Sequence, residues 1–206
     1  MFVLYEDISS RKKYEAQMLH QAFHDSLTGL PNRALFMERL NRALERSKRR
    51  KEYKFAVLVI DLDNFKFVNE SIGHLAGDEF LNQFSDQVGQ CIRSTDTIAR
   101  MGGDEFAVLL EEFQAPKEIF KIVRRISKIS QSRFFIERNE IRISSCIGVV
   151  FDTTTYTNAE DILRDADIAM YRAKETGKPR FRAFKKKMRK LTLESITMQN
   201  ELRYAH

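Results

Sequence analysis

The stretch Thr97-Ile98-Ala99-Arg100-Met101-Gly102-Gly103-Asp104-Glu105-Phe106-Ala107-Val108-Leu109-Leu110 decides the fold. Its two strand-like runs, residues 97–101 and 105–110, flank a glycine pair, which is the pattern of a β-hairpin. The glycines allow a tight turn and let a ligand's phosphates approach the backbone. Two carboxylates, Asp104 and Glu105, follow at once and stand at the tip. Upstream, Phe55-Ala56-Val57-Leu58-Val59-Ile60 is an unbroken apolar run rich in β-branched residues. It predicts a strand buried on both faces, ending at Asp61 and Asp63. Charge at the end of such a strand is costly unless it is paired or used. If the hairpin pairs beside this strand, Asp61 and Asp104 share one cleft. Mg²⁺ commonly takes one or two carboxylates plus substrate phosphates, so that cleft suits it. Each cluster alone also reads plainly, as turn-capping aspartates or an ordinary hairpin turn; two in one small domain are harder to dismiss.

Outward from this centre the pattern is regular. Asn32, after Leu30-Pro31, caps a helix with Phe36, Leu40 and Leu44 on its apolar face. A second helix carries Leu81, Phe84, Val88 and Ile92, and a third carries Ile119, Ile122, Val123, Ile126 and Ile129. Ile141, Ile143, Ile147 and Val149 alternate, with Ser145 in phase, as in a strand. A last helix over residues 159–175 buries Ile162, Ala166, Ala169 and Met170, and Gly177 stops it. Helices and strands in this order, with a hairpin among them, predict an α/β (α+β) sandwich with a mixed, largely antiparallel sheet.

The 206 residues suit one domain with some length at its ends. An apolar fraction of 43% is enough for a sizeable core, and the net charge of +6 suits an anionic partner. Much of that excess sits at residues 46–51 and 185–190, which also read as solvated helix ends or linkers. Cys91 and Cys146 have no metal or redox spacing and read as reduced fillers, which favours the cytoplasm. No apolar stretch reaches the roughly 18 residues of a membrane span. The sixteen phenylalanines fall mostly on core positions and no nucleic-acid motif is present, so neither nucleic acid nor membrane is expected as a partner within this chain.

Several spaced segments together resemble the GGDEF family of diguanylate cyclases. Gly102-Gly103-Asp104-Glu105-Phe106 is similar to its signature, and DSLTGLPNR (residues 25–33) to its opening motif. Asp61-x-Asp63-x-Phe65-Lys66-x-x-Asn69, with Gly73-His74 and Gly77-Asp78, resembles its metal and guanine segment. The resemblance covers residues 25–184 and implies a fold like the palm of nucleotide cyclases and polymerases. It implies condensation of two GTP into cyclic di-GMP by a homodimer with facing sites and two Mg²⁺ ions per site, Mn²⁺ being an alternative. Asp61, the Leu62 carbonyl and Asp104 would hold metal with Glu105 beside them, and Asp104 would take the proton from the attacking 3′-hydroxyl. Asn69 and Asp78 would read guanine. Lys66, Lys174 and Lys178, with backbone N–H groups near Asn64 and Phe65, would hold phosphates. Arg93 and Asp96 have the spacing of the family's product-inhibition site, or form a surface ion pair.

The sequence departs from the family pattern at Met101, where an aromatic or leucine is usual. Lys178 and Pro179 stand where arginine and asparagine are common, and lysine keeps the charge but loses the bidentate fork. Residues 1–10 resemble the end of a PAS sensor domain, residues 11–24 read as a connecting helix, and residues 185–206 resemble a linker toward an EAL phosphodiesterase domain. That arrangement gives the rival reading, a regulatory GTP-binding module for an adjacent phosphodiesterase.

Overall fold

The computed structural model describes residues 18, 20–136, 138–176 and 181–189. The expected PAS-like strand, most of the connecting helix, Gly177, Lys178 and residues 190–206 lie outside them. Helix α1 (Arg33–Arg49) begins where expected: the Asn32 Oδ1 accepts from the N–H groups of Ala34 and Leu35 at 2.9 and 3.2 Å. Two of the donors orphaned at a helix start are thereby satisfied. Strand β1 (Phe55–Leu62) is buried at every position. Its residues alternate between two cores, as the two-residue period of a strand requires. Phe55, Val57 and Val59 enter one; Ala56, Leu58, Ile60 and Leu62 enter the other. Each fully buried large apolar side chain contributes about 1.5–3 kcal/mol, so this strand anchors the domain.

After β1 come α2 (Phe65–Ile72), α3 (His74–Gly89), β2 (Thr97–Gly102), β3 (Glu105–Glu111) and α4 (Pro116–Ser130). They are followed by β4 (Phe134–Ile136), β5 (Asn139–Ile141), β6 (Ser145–Val150), α5 (Ala159–Thr176) and β7 (Phe181–Ala183). The main sheet has the order β2-β3-β1-β6-β7. All its pairings are antiparallel except β6 with β7. Helices α1 and α5 supply the core on one face, and α3 and α4 the core on the other. The mixed, largely antiparallel sheet flanked by helices matches the expected class.

The details differ in four places. The expected strand through Ile141 and Val149 is two strands: residues 142–144 leave the ladder, and Ser144 instead bonds to Asp63. Alternation persists because Ile143 is still buried, so the pattern hid the break. Ile92 lies past the end of α3 and packs on the core from the following turn. Helix α2, of eight residues, was not anticipated, nor were the three-residue strands β4 and β7. Cys146 is buried and Cys91 half-buried, and neither is in a disulfide among the described residues. No described helix is long and apolar enough to cross a membrane.

Candidate active site

The site forms where the end of β1 lies beside the start of β3. Their register pairs Asp61 with Glu105, and the Leu62 N–H donates to the Asp104 carbonyl at 3.4 Å. The two acidic clusters read separately in the sequence therefore meet at the ends of two inner strands of the sheet. The turn between β2 and β3 depends on Gly102 and Gly103, with φ of 138° and 55°. A Cβ at either would meet nothing within 4 Å, so backbone conformation, not lack of room, requires glycine there. Asp104 is half-buried and Glu105 exposed, so this tip opens to solvent.

Asp61 is 7% exposed, and the Lys174 ammonium, from α5, lies 2.6 Å from its Oδ1. Burial pushes the Asp61 carboxyl up, Lys174 pulls it back, and the charges of Asp104 and Asp63 push it up again; the net is a raised pKa. Burial and the charges of Asp61 and Asp104 likewise push up Glu105. Burial lowers Lys174, but its close approach to Asp61 and the negative charges of Asp61 and Asp63 outweigh that and raise it. A cleft that destabilises its own anions in this way favours an added cation. Asp63 plays another part: Ser144 Oγ donates to it at 2.6 Å and Cys146 Sγ at 3.3 Å, tying the end of β1 to the start of β6.

Beyond Asp63 the chain turns through Asn64, which is left-handed at φ 59°, into α2. Phe65 is buried, its ring 6.0 Å from that of Phe80 on α3. Lys66 is exposed and lies 3.6 Å from Glu70. Asn69 is half-buried, and its Oδ1 is fully buried without a hydrogen-bond partner among the described residues. Asp78 follows Gly77, whose α-carbon abuts Asn69. The helix pair thus presents an amide and a carboxylate beside the segment that leads from the acidic cleft.

Two contributions were missed in the sequence. Arg100 is mostly buried; its Nη2 and Nε donate to the Gly103 carbonyl at 2.8 and 3.0 Å, and its Nη1 donates to Asp25 at 3.0 and 3.2 Å. Burial raises Asp25, but hydrogen bonds from Thr28 and Arg100 prevail and hold it below its ordinary value. The opening motif therefore braces the signature turn. Asp167 on α5 is exposed as a residue, yet partial burial of its carboxyl and then the Glu105 charge push it up to about 6, against the pull of Arg33. Arg100's place two residues before the glycines was the available signal; Asp167 had none.

The spaced pair Arg93 and Asp96 lies apart, between α3 and β2. Asp96 is buried, and its two oxygens accept from the N–H groups of Arg93 and Glu111 at 2.8 and 3.0 Å. The Arg93 side chain is exposed, 3.4 Å from Glu118. The two side chains are therefore not paired with each other: Asp96 shapes the loop and Arg93 faces solvent.

Among the described residues no three Asp, Glu, His or Cys side chains already enclose an ion. A cation held here would draw on ligands beyond these side chains, and Mg²⁺ commonly takes water and substrate phosphates. The buried Asp61 Oδ1, which has no well-aligned hydrogen bond, and the Lys174 ammonium beside it mark where positive charge is wanted. The donor set is all oxygen and fits a hard cation.

The family model for "Diguanylate cyclase, GGDEF domain" matches residues 22–180. Over 197 residues the chain is 36% identical to MucR of Pseudomonas aeruginosa, a bifunctional diguanylate cyclase and cyclic di-GMP phosphodiesterase; this covers 96% of the chain and 28% of MucR. It is 40% identical over 160 residues to the diguanylate cyclase TpbB of the same species, covering 77% of the chain and 37% of TpbB. The chain thus spans well under half the length of these curated relatives. The solved GGDEF domain of TpbB superposes with a TM-score of 0.77 at 36% identity, covering 82% of this chain and 99% of that one. The GGDEF domain of DgcB from Caulobacter crescentus, solved in complex with c-di-GMP, superposes with a TM-score of 0.71 at 25% identity. That match covers 79% of this chain and 93% of the other.

Proposed function

From the premise that the chain belongs to the diguanylate cyclase GGDEF domain family, we propose that it condenses two GTP molecules into cyclic di-GMP and releases two pyrophosphates. The observation that carries this reading is the meeting of Asp61 with Asp104 and Glu105 on paired strand ends, with Lys174 at the same carboxylate.

In each half-reaction a ribose 3′-oxygen forms a bond to the α-phosphorus of the other GTP, and the bond to pyrophosphate breaks. Asp104 accepts the hydroxyl proton. Asp61, Asp104, Glu105 and the Leu62 carbonyl would hold two Mg²⁺ ions, or Mn²⁺. Bound there, the metal supplies charge neutralisation at the attacking and leaving oxygens. Lys174 balances Asp61 in the ligand-free protein and turns to the triphosphate once the cleft carries other positive charge. Lys66, Lys178 and the N–H groups around Asn64 and Phe65, at the start of α2, complete the phosphate cradle.

Asp78 accepts from guanine N1–H and N2–H₂, donors that adenine lacks, while Asn69 contacts the same base. A polar group left unpaired by the wrong base makes such discrimination large. The product is two-fold symmetric and each domain binds one GTP, so the active species is a homodimer with facing sites. Arg93, exposed and only loosely paired with Glu118, offers its guanidinium to the product's phosphates as an inhibitory contact, on a loop that Asp96 holds.

Incubation with GTP and Mg²⁺, with Asp104→Ala as control, tests this reading. Cyclic di-GMP from the parent and none from the variant is the expected result. GTP bound without turnover, even when dimerisation is forced, would replace the enzyme with a regulatory GTP-binding module.

A further inference from the structure

Gly77 lies inside α3, where glycine is a poor choice because it gives up more conformational freedom on folding than alanine. Its backbone is not in the left-handed region, so conformation does not require it. Space does. A Cβ at this position would stand 1.9 Å from Asn69 Oδ1, 3.0 Å from Asn69 Cγ and 3.2 Å from Phe65 Cζ. All three atoms are side-chain atoms on α2, and the worst conflict is with the end of the asparagine amide. That same Oδ1 is buried and has no hydrogen-bond partner among the described residues. Shape, not bonding, holds the amide in place, and Gly77 is the wall it rests on.

We propose that Gly77 is a positioning residue for base recognition: the missing side chain seats the Asn69 amide, and a methyl group there turns Asn69 away from the base. This rests on Asn69 contacting guanine. Asparagine can rotate about χ1 and χ2, so a methyl group at 77 displaces the amide instead of breaking the helix pair. The damage falls on selectivity before it falls on folding. A purely structural glycine would show the reverse order.

The test is equilibrium binding of GTP and of ATP, with Ca²⁺ replacing Mg²⁺ to prevent turnover. The parent, Gly77→Ala, Asn69→Ala and the double variant are compared. Gly77→Ala is expected to weaken GTP about 10- to 100-fold, as loss of a buried ligand hydrogen bond does, and to leave ATP nearly unchanged. Asn69→Ala should do the same. The double variant should bind GTP no more weakly than Asn69→Ala alone, since without the amide the methyl group has room.

Three results overturn the inference. In the first, Asn69→Ala narrows the GTP-to-ATP preference but Gly77→Ala does not. In the second, the two losses multiply in the double variant, so that Gly77 acts independently of Asn69. In the third, Asn69→Ala leaves the preference intact, which removes the base-contact reading itself and this inference with it. If Gly77→Ala alone fails to fold, the double variant decides. Folding and binding like Asn69→Ala support the proposal, and failure to fold makes the glycine structural.

Discussion

The Arg100 guanidinium grips the Gly103 carbonyl with two nitrogens and uses the third to hold Asp25. A turn that carries Asp104 is thereby tied to a motif 75 residues earlier in the chain. The arrangement needs a planar fork, which lysine does not have.

Arg100→Lys and Asp25→Asn should each lower the rate of product formation by about 100-fold, the scale expected when a reacting group is misplaced by about an ångström. Circular dichroism should be unchanged. The double variant should be scarcely worse than either single one, because both break one brace.

Lys174→Met should weaken the ligand-free protein by about 1 kcal/mol, because Asp61 loses the cation at 2.6 Å while Lys174 itself is partly exposed. Saturating Mg²⁺ should recover most of that loss. Melting curves with Mg²⁺ and with chelator check both halves.

Asp167 supplies a pH signature. Its folded pKa is raised to about 6 from 3.8, so the folded state binds this proton more tightly than the unfolded chain does. The associated stability is in place below about pH 4 and is lost as pH rises through about 6. In chelator, Asp167→Asn should be more stable than the parent at pH 7, by about 1 kcal/mol once solvent screening of this exposed residue is allowed for. The gap should close as pH falls from 6 to 4. Urea titrations at three pH values would reveal it.

Asp165 on α5 is fully buried and accepts from Arg189 at 2.7 and 2.6 Å and from the Tyr156 hydroxyl at 2.5 Å. Arg189→Met should cost about 2 kcal/mol, because a buried carboxylate loses its cation; the half-exposed arginine keeps the figure below that of a fully buried pair. Asp165→Asn combined with Arg189→Met should recover part of it. Denaturant midpoints give the comparison.

What the sequence revealed follows from what burial imprints on it. β1 was legible as an unbroken apolar run rich in β-branched residues, because it is buried on both faces, and α4 because one-sided burial imposes a 3.6-residue rhythm. Strand β7 was not, since three residues carry no rhythm and its parallel partner lies far back in the chain. The metal-binding candidates were legible because carboxylates at strand ends are costly unless used. Arg100 was hidden because an arginine on a strand ordinarily faces water, and its value depends on Asp25 arriving from elsewhere. The basic run at residues 185–190 read as a solvated linker, yet within it Arg189 reaches back to Asp165.

The most direct test is the rate of cyclic di-GMP formation from GTP and Mg²⁺ as a function of protein concentration. Two facing sites that each hold one GTP predict a rate that rises faster than linearly at low concentration and becomes proportional once dimers dominate. Asp104→Ala should abolish it throughout. A rate strictly proportional to protein at every concentration down to the nanomolar range, where a weak dimer has dissociated, would contradict the facing-site account; no product at any concentration would contradict the cyclase itself.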